Sequence, residues 1–168
     1  MRGIILLLSL FTAVSFAVEK AYAELINREG KVIGRVELVD KGNGVLLKVM
    51  ASNLPPNREL AFHIHERGSC IPPDFKSAKG HFNPFGKEHG LLNPKGFHAG
   101  DMPNVFTDEK GNLKVHIFNP FVTLKEGKRN SLFKEGGTAI VIHERGDDYT
   151  SNPAGNAGKR IACGVIKK

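Results

Sequence analysis

The stretch from Ala61 to Cys70, AFHIHERGSC, carries His63 and His65 one residue apart. In an extended chain alternate side chains share a face, so both imidazoles point one way and Ile64 the other. Two imidazoles on one face can grip one metal ion. Of the seven histidines, five lie between His63 and His98, with Asp101 close behind. GHFNPFGKEHG supplies His81 and His89, and FHAGDMPN supplies His98 and Asp101. His143 ends a later apolar run, and in a sandwich that strand can return beside the one bearing His63 and His65. Imidazoles with one carboxylate suit zinc, whereas a nearly all-imidazole set suits copper. Six histidines and one aspartate exceed what a single four-coordinate ion needs, which leaves two ions, or one ion and spare ligands. The remaining histidine, His116, sits mid-strand in KVHIF without polar companions and reads as an ordinary sheet residue.

These ligands need elements to position them. KVIGRVELVD, GVLLKVMAS, RELAFHIHE, NLKVHIFNP, TAIVIHE and RIACGVI alternate or run apolar as strands do, and no segment from Val18 onward sustains a helical period. NREG, DKGNG and DEKGN between such runs hold the residues that tolerate hairpin turns. Strands at this spacing without intervening helices predict one all-β domain, an antiparallel sandwich or barrel. Residues 67–104 and 144–159 are too long for hairpin loops, and loops of that length in a compact domain usually carry function.

The N-terminus MRGIILLLSLFTAVSFA sets one arginine before fifteen uncharged, mostly apolar positions ending in Ser15-Phe16-Ala17. It reads as a secretory signal, residues 1–17, leaving a domain of 18–168. It is shorter than the roughly 20 apolar residues of a spanning helix, so no stable membrane insertion is expected. A second small-x-small site, Ala21-Tyr22-Ala23, is set aside because Ala21, Ala23 and Leu25 alternate with Tyr22, Glu24 and Ile26 as a first strand would. Removal of residues 1–17 leaves 23 basic against 17 acidic residues, a charge of +6. With no tryptophan and no Lys/Arg run longer than two, neither a base-stacking platform nor a polybasic arm is present. Nucleic acid is therefore excluded in favour of a small anionic substrate. The two cysteines of an exported chain most simply pair, Cys70 with Cys163.

FHIHERGSC, GHFNPFGKEHG, HAGDMPNV, VIHERGDD and GNAGKRIACGVI closely resemble, in order, the motifs of the secreted copper/zinc superoxide dismutases. Weaker similarity of strands and turns runs from about Ala21 to Ile166. The resemblance implies a Greek-key β-sandwich or barrel of immunoglobulin-like architecture. It implies copper held by His63, His65, His81 and His143, and zinc held by His81, His89, His98 and Asp101, so that His81 serves both ions. Asp147 matches the carboxylate that links a copper-site histidine to a zinc-site histidine. Arg160 matches the guanidinium that docks superoxide, and His81 is implied as both ligand and proton donor. A homodimer working in a periplasm or outside the cell is implied too.

Only thirteen positions separate Asp147 from Arg160, so the charged cluster that animal members carry before this arginine has no clear counterpart. Lys76, Lys79, Lys87 and Lys159 are the candidates for steering the anion instead. A metal-transfer or metal-storage domain of the same fold is the alternative reading. Such members usually lack copper ligands or the arginine, and this sequence lacks neither.

Overall fold

A computed structural model describes residues 19–168, so the signal expected at 1–17 lies outside the described residues. The chain forms β1 (Glu19–Asn27), β2 (Val32–Asp40), β3 (Val45–Ala51), β4 (Glu59–Leu60), β5 (Phe62–His65), β6 (Val105–Phe106), β7 (Leu113–Asn119), β8 (Ala139–His143) and β9 (Arg160–Val165). A single 3₁₀ turn, Lys76–Ala78, interrupts the long loop after β5. All strand pairings are antiparallel, in a seven-stranded sheet ordered β5-β8-β9-β1-β2-β3-β7 and a small β4-β6 pair. Only Ala61 separates β4 from β5, and it stays in the ladder by donating to Arg145 O and accepting from His143 N. At the other edge β6 turns into β7 through residues 107–112, where Asp108 N–H donates to Asn112 O. The sheet thereby curls round on itself as a Greek-key barrel, since β3 to β4 and β7 to β8 cross between its ends. Among the described residues no helix is long and apolar enough to cross a membrane.

Alternation fills the inside. Leu25, Val36, Leu38, Leu47, Val49, Phe62, Ile64, Ile140 and Ile142 are all but fully buried in one core. On β5 and β8 the opposite face is buried as well, which a lone barrel wall would leave wet. Phe62 and Ile64 face the core, while His63 pairs with Val141 and His65 with Ala139 on the outer side. The loop 66–104 covers that side. It is clipped to β5 by Phe82 N–H to Ile64 O, Ile64 N–H to Gly100 O and Gly100 N–H to Phe82 O. At Gly100 a β-carbon would run into Ile64 O, so only glycine allows this approach. Phe75, Ala78, Ala139, Val141 and Cys163 form a second, smaller apolar cluster beneath the loop, with Cys70 packed against it. Cys70 is bonded to Cys163 with Cα atoms 5.6 Å apart, fastening the loop to β9.

Two features have no forerunner in the sequence pattern. β6 is only two residues long and leaves no periodic trace. The 120–138 crossover from β7 to β8 is a third long loop, pinned where Asp40 accepts Leu124 N–H at 2.8 Å and the Thr123 hydroxyl. His116 is exposed on β7 opposite Lys48, an ordinary sheet position.

Candidate metal centre

Strand geometry brings the first group together. His63 and His65 leave the outer face of β5, and Ala139, Val141 and His143 share the corresponding face of β8. His81 arrives from the loop through an isolated bridge to His65. The ligand atoms of His63, His65, His81 and His143 lie within 4.8 Å of one another, as do those of His81, His89, His98 and Asp101. His81 belongs to both groups.

Hydrogen bonds on the far side of each ring fix which nitrogen is free. His65 Nδ1–H donates to Lys79 O at 2.9 Å and His143 Nδ1–H to Gly158 O at 3.3 Å, since a carbonyl can only accept. Their Nε2 atoms then face each other at 3.4 Å as two lone pairs, a repulsive arrangement without a cation between them. His63 Nε2–H donates to Asp147 Oδ2 at 2.8 Å and His89 Nε2–H to Asp147 Oδ1 at 3.1 Å. This leaves Nδ1 of both rings buried and without a hydrogen-bond partner. His81 Nδ1 meets Asp101 Oδ1 at 2.8 Å, while its Nε2 is also buried and unpartnered. His89 Nδ1 and His98 Nδ1 approach Asp101 at 3.0 and 3.3 Å, yet neither makes a well-directed hydrogen bond. Such buried, converging donors are costly alone and are what a pair of metal ions would satisfy.

Electrostatics favour the neutral, ligating forms of His65, His81 and His143. Burial pushes His81 down to about 4 against the pull of Asp101, and pushes His143 down to about 3 with help from His63. Burial also holds His65 well below its ordinary range. These rings are neutral at neutral pH, as metal binding requires. For Asp101 burial works upward, but the hydrogen bond from His81 and the close approach of the His89 and His98 rings outweigh it and hold the carboxyl far below the usual range. Asp147 behaves alike through His63, His89 and the Tyr149 N–H. For His89 burial works downward, and the two carboxylates flanking it win, raising it to about 9.

Arg160 owes its direction to an irregularity. β8 and β9 pair Val141 with Cys163 and Ile142 with Ala162, but His143 with Arg160, skipping Ile161. In regular register Arg160 would fall on the opposite face. The bulge turns it to the side of His143, the kind of re-aiming bulges perform beside active sites. Its Nη1 donates to Phe75 O at 2.7 Å and Nη2 to Lys79 O at 2.6 Å. Lys79 O therefore receives both Arg160 and His65. Arg160 opens onto a depression of about 390 Å³ lined by Arg28, Asp74, Lys76, Gly158 and Lys159. Of the sequence candidates for steering, Lys76 and Lys159 line it, Lys79 and Lys87 do not, and Arg28 joins from the turn after β1.

Other contributors have no chemical signature in the sequence. Gly155 has φ +62°, and a β-carbon there would collide with Asp147 Oδ1. Asn152 Oδ1 accepts the His89 N–H at 2.8 Å, and Asn104 grips the backbone of Asp147. Asparagines and glycines of loops are too common to stand out without coordinates.

A Greek-key barrel with two adjoining histidine clusters that share one imidazole defines a class, the β-barrel proteins with a paired metal centre. The chain belongs to the copper/zinc superoxide dismutase family, whose family model matches residues 32–166. It is 69% identical over 159 residues to Superoxide dismutase [Cu-Zn] 2 of Aquifex aeolicus, covering 94% of this chain and 93% of that protein. A crystal structure of a SOD-like protein from Bacillus subtilis superposes with a TM-score of 0.83 at 46% identity, over 86% of this chain and 96% of the other. The Cu/Zn superoxide dismutase of Brucella abortus gives a TM-score of 0.72 at 29% identity, over 89% and 100%. Copper and zinc are the family's cofactors, and superoxide is its substrate.

Proposed function

We propose that this chain dismutates superoxide to dioxygen and hydrogen peroxide with copper at His63, His65, His81 and His143, and zinc at His81, His89, His98 and Asp101. The observation that carries the assignment is the His81 ring, which belongs to both groups, with its Nδ1 on Asp101 and its Nε2 buried and without a hydrogen-bond partner. Copper, when bound, supplies one-electron redox chemistry, and zinc supplies charge without redox.

The chain's own residues do the rest. Arg160 binds the anion with a guanidinium held by two carbonyls, so its planar fork is already oriented. Arg28, Lys76 and Lys159 around it outnumber Asp74 and draw anions to the depression. His81 Nε2, buried and without a hydrogen-bond partner, is the atom placed to hold a proton for the peroxide product. Asp147 orients His63 and His89 at once, and Cys70–Cys163 fastens the loop whose carbonyls seat Arg160. The disulfide suits an oxidising compartment, supporting export with removal of residues 1–17 from a domain of 18–168. Our reading includes a homodimer.

Loading the protein with copper and zinc, then measuring metal content and superoxide consumption, tests the function. One copper and one zinc per chain with rapid consumption is expected, and bound metals without turnover would favour a metal-storage role. Cell fractionation with N-terminal sequencing tests export, and sedimentation tests the dimer.

A further inference from the structure

Asp147 touches both histidine clusters, so whatever aims its carboxylate influences both. Asn104, just before β6, is in that position. Its Oδ1 accepts Asp147 N–H at 2.9 Å and its Nδ2 donates to Asp147 O at 3.0 Å, a two-point grip on one residue's backbone. The second Nδ2 hydrogen goes to Glu59 Oε1 on β4 at 2.7 Å, so both amide hydrogens are used and the grip is anchored on the barrel. Behind it, Asn104 N–H donates to the Tyr149 hydroxyl at 2.7 Å. Tyr149 in turn donates its own N–H to Asp147 Oδ1 at 2.6 Å and accepts Leu92 N–H at 3.0 Å, tying in the loop after β5. Asp147 is thus held through its backbone by Asn104 and through one carboxylate oxygen by Tyr149. Gly155 makes room for the carboxylate in this orientation, since a β-carbon there would overlap Asp147 Oδ1.

We propose that Asn104, backed by Tyr149, is a positioning residue that aims Asp147 at His63 Nε2 and His89 Nε2 together and thereby sets the zinc affinity of the site. This rests on the metal assignment above. The amide is chemically specific: a carboxylate at 104 would lose both donors and face Glu59, and an alanine would leave the Asp147 backbone groups unpaired. A group that orients a ligand from outside typically governs 10- to 100-fold in metal affinity, a range of about that order being expected here.

The test is zinc affinity by chelator competition in the full chain, read as a double-mutant cycle. The unaltered protein must first bind one zinc in competition with the chelator, and its failure to do so would count against the metal assignment. Asn104→Ala should then weaken zinc by about 10- to 100-fold. In an Asp147→Ala background, which keeps the backbone grip but has no carboxylate to aim, adding Asn104→Ala should change affinity less than about 2-fold. Equal losses in both backgrounds would show that Asn104 merely tethers the loop and would overturn the proposal, as would no loss in the single variant. Should Asn104→Ala fail to fold, Tyr149→Phe removes only the hydroxyl behind Asn104 and is read through the same cycle. It should weaken zinc several-fold with Asp147 present and leave it unchanged without.

Discussion

The two sides of the barrel are held together by different physics. β1, β2, β3 and β7 form long regular ladders joined in part by tight hairpins, and their inner faces fill the core with Leu25, Val36, Leu38, Leu47 and Val49. The β5–β8–β9 side has short strands, and two loops, 66–104 and 144–159, lie over it with little regular structure. There the buried residues include six histidines, Asp101 and Asp147. The ladder side is stabilised by backbone pairing and apolar burial, and it needs nothing from outside. The loop side is stabilised by polar groups whose free valences converge, so its order depends on what those groups bind.

The sharpest way to break this contrast is at the ligands. His143→Ala should lose copper and bring activity to near background while zinc stays, as elemental analysis and a superoxide assay will show. Asp101→Ala should lose zinc first and raise amide exchange across 80–101, with β1–β3 still protected. Loss of protection over the whole barrel would mean that the two sides are not separable. Next in size is the rate: Arg160→Ala removes no proposed ligand, so metal content and the Cu(II) visible spectrum should hold while catalysis falls about tenfold or more. The wild-type rate should drop as salt rises, with a Debye length of about 10 Å at 0.1 M, and the variant should depend on salt less. Arg160→Lys should regain part of the rate and most of the salt dependence.

Stability variants separate the sides further. Leu47→Ala should cost about 2–5 kcal/mol in denaturant unfolding and leave metal content unchanged. Cys70→Ser should cost a similar roughly 2–5 kcal/mol but also lower activity, because the freed loop carries the carbonyls of Phe75 and Lys79 that seat Arg160. The smallest effect is at Asp40→Asn, which unbalances the carboxylate pinning the 120–138 loop and should cost about 1–3 kcal/mol. Burial raises the Asp40 carboxyl, but hydrogen bonds from Thr123, Leu124 and Gly42 prevail and hold it below its ordinary value. A lowered folded value means that this stabilisation is complete above about pH 4 and fades as pH falls through the folded value. Denaturation of the chelator-treated protein at neutral and acid pH should therefore show the gap between Asp40→Asn and wild type narrowing in acid.

Strands with a clean alternation were legible, because period-two burial writes itself into residue type: VIGRVELV and VLLKVMA read directly as β2 and β3. β6 and the pinned 120–138 crossover were not, since two residues carry no period and the pin depends on a contact between Asp40 and residues 83 and 84 positions away. In the site, every histidine of the two clusters stood out by chemical type and spacing. Asn104, Tyr149, Asn152 and Gly155 did not, because their roles lie in direction and fit.

By itself the sequence determined the all-β class, the dense set of metal-ligating side chains and the presence of a cysteine pair, since composition and alternation depend on local chemistry. Only the tertiary structure decided that His81 joins both clusters with its Nδ1 on Asp101, and that Asp147 spans His63 and His89. It also decided that Arg160 faces His143, through a skipped residue at Ile161 that no local pattern announces. A bulge reverses the face of every side chain beyond it, and its position is set by how β8 and β9 pair over the whole barrel rather than by the residues at the bulge.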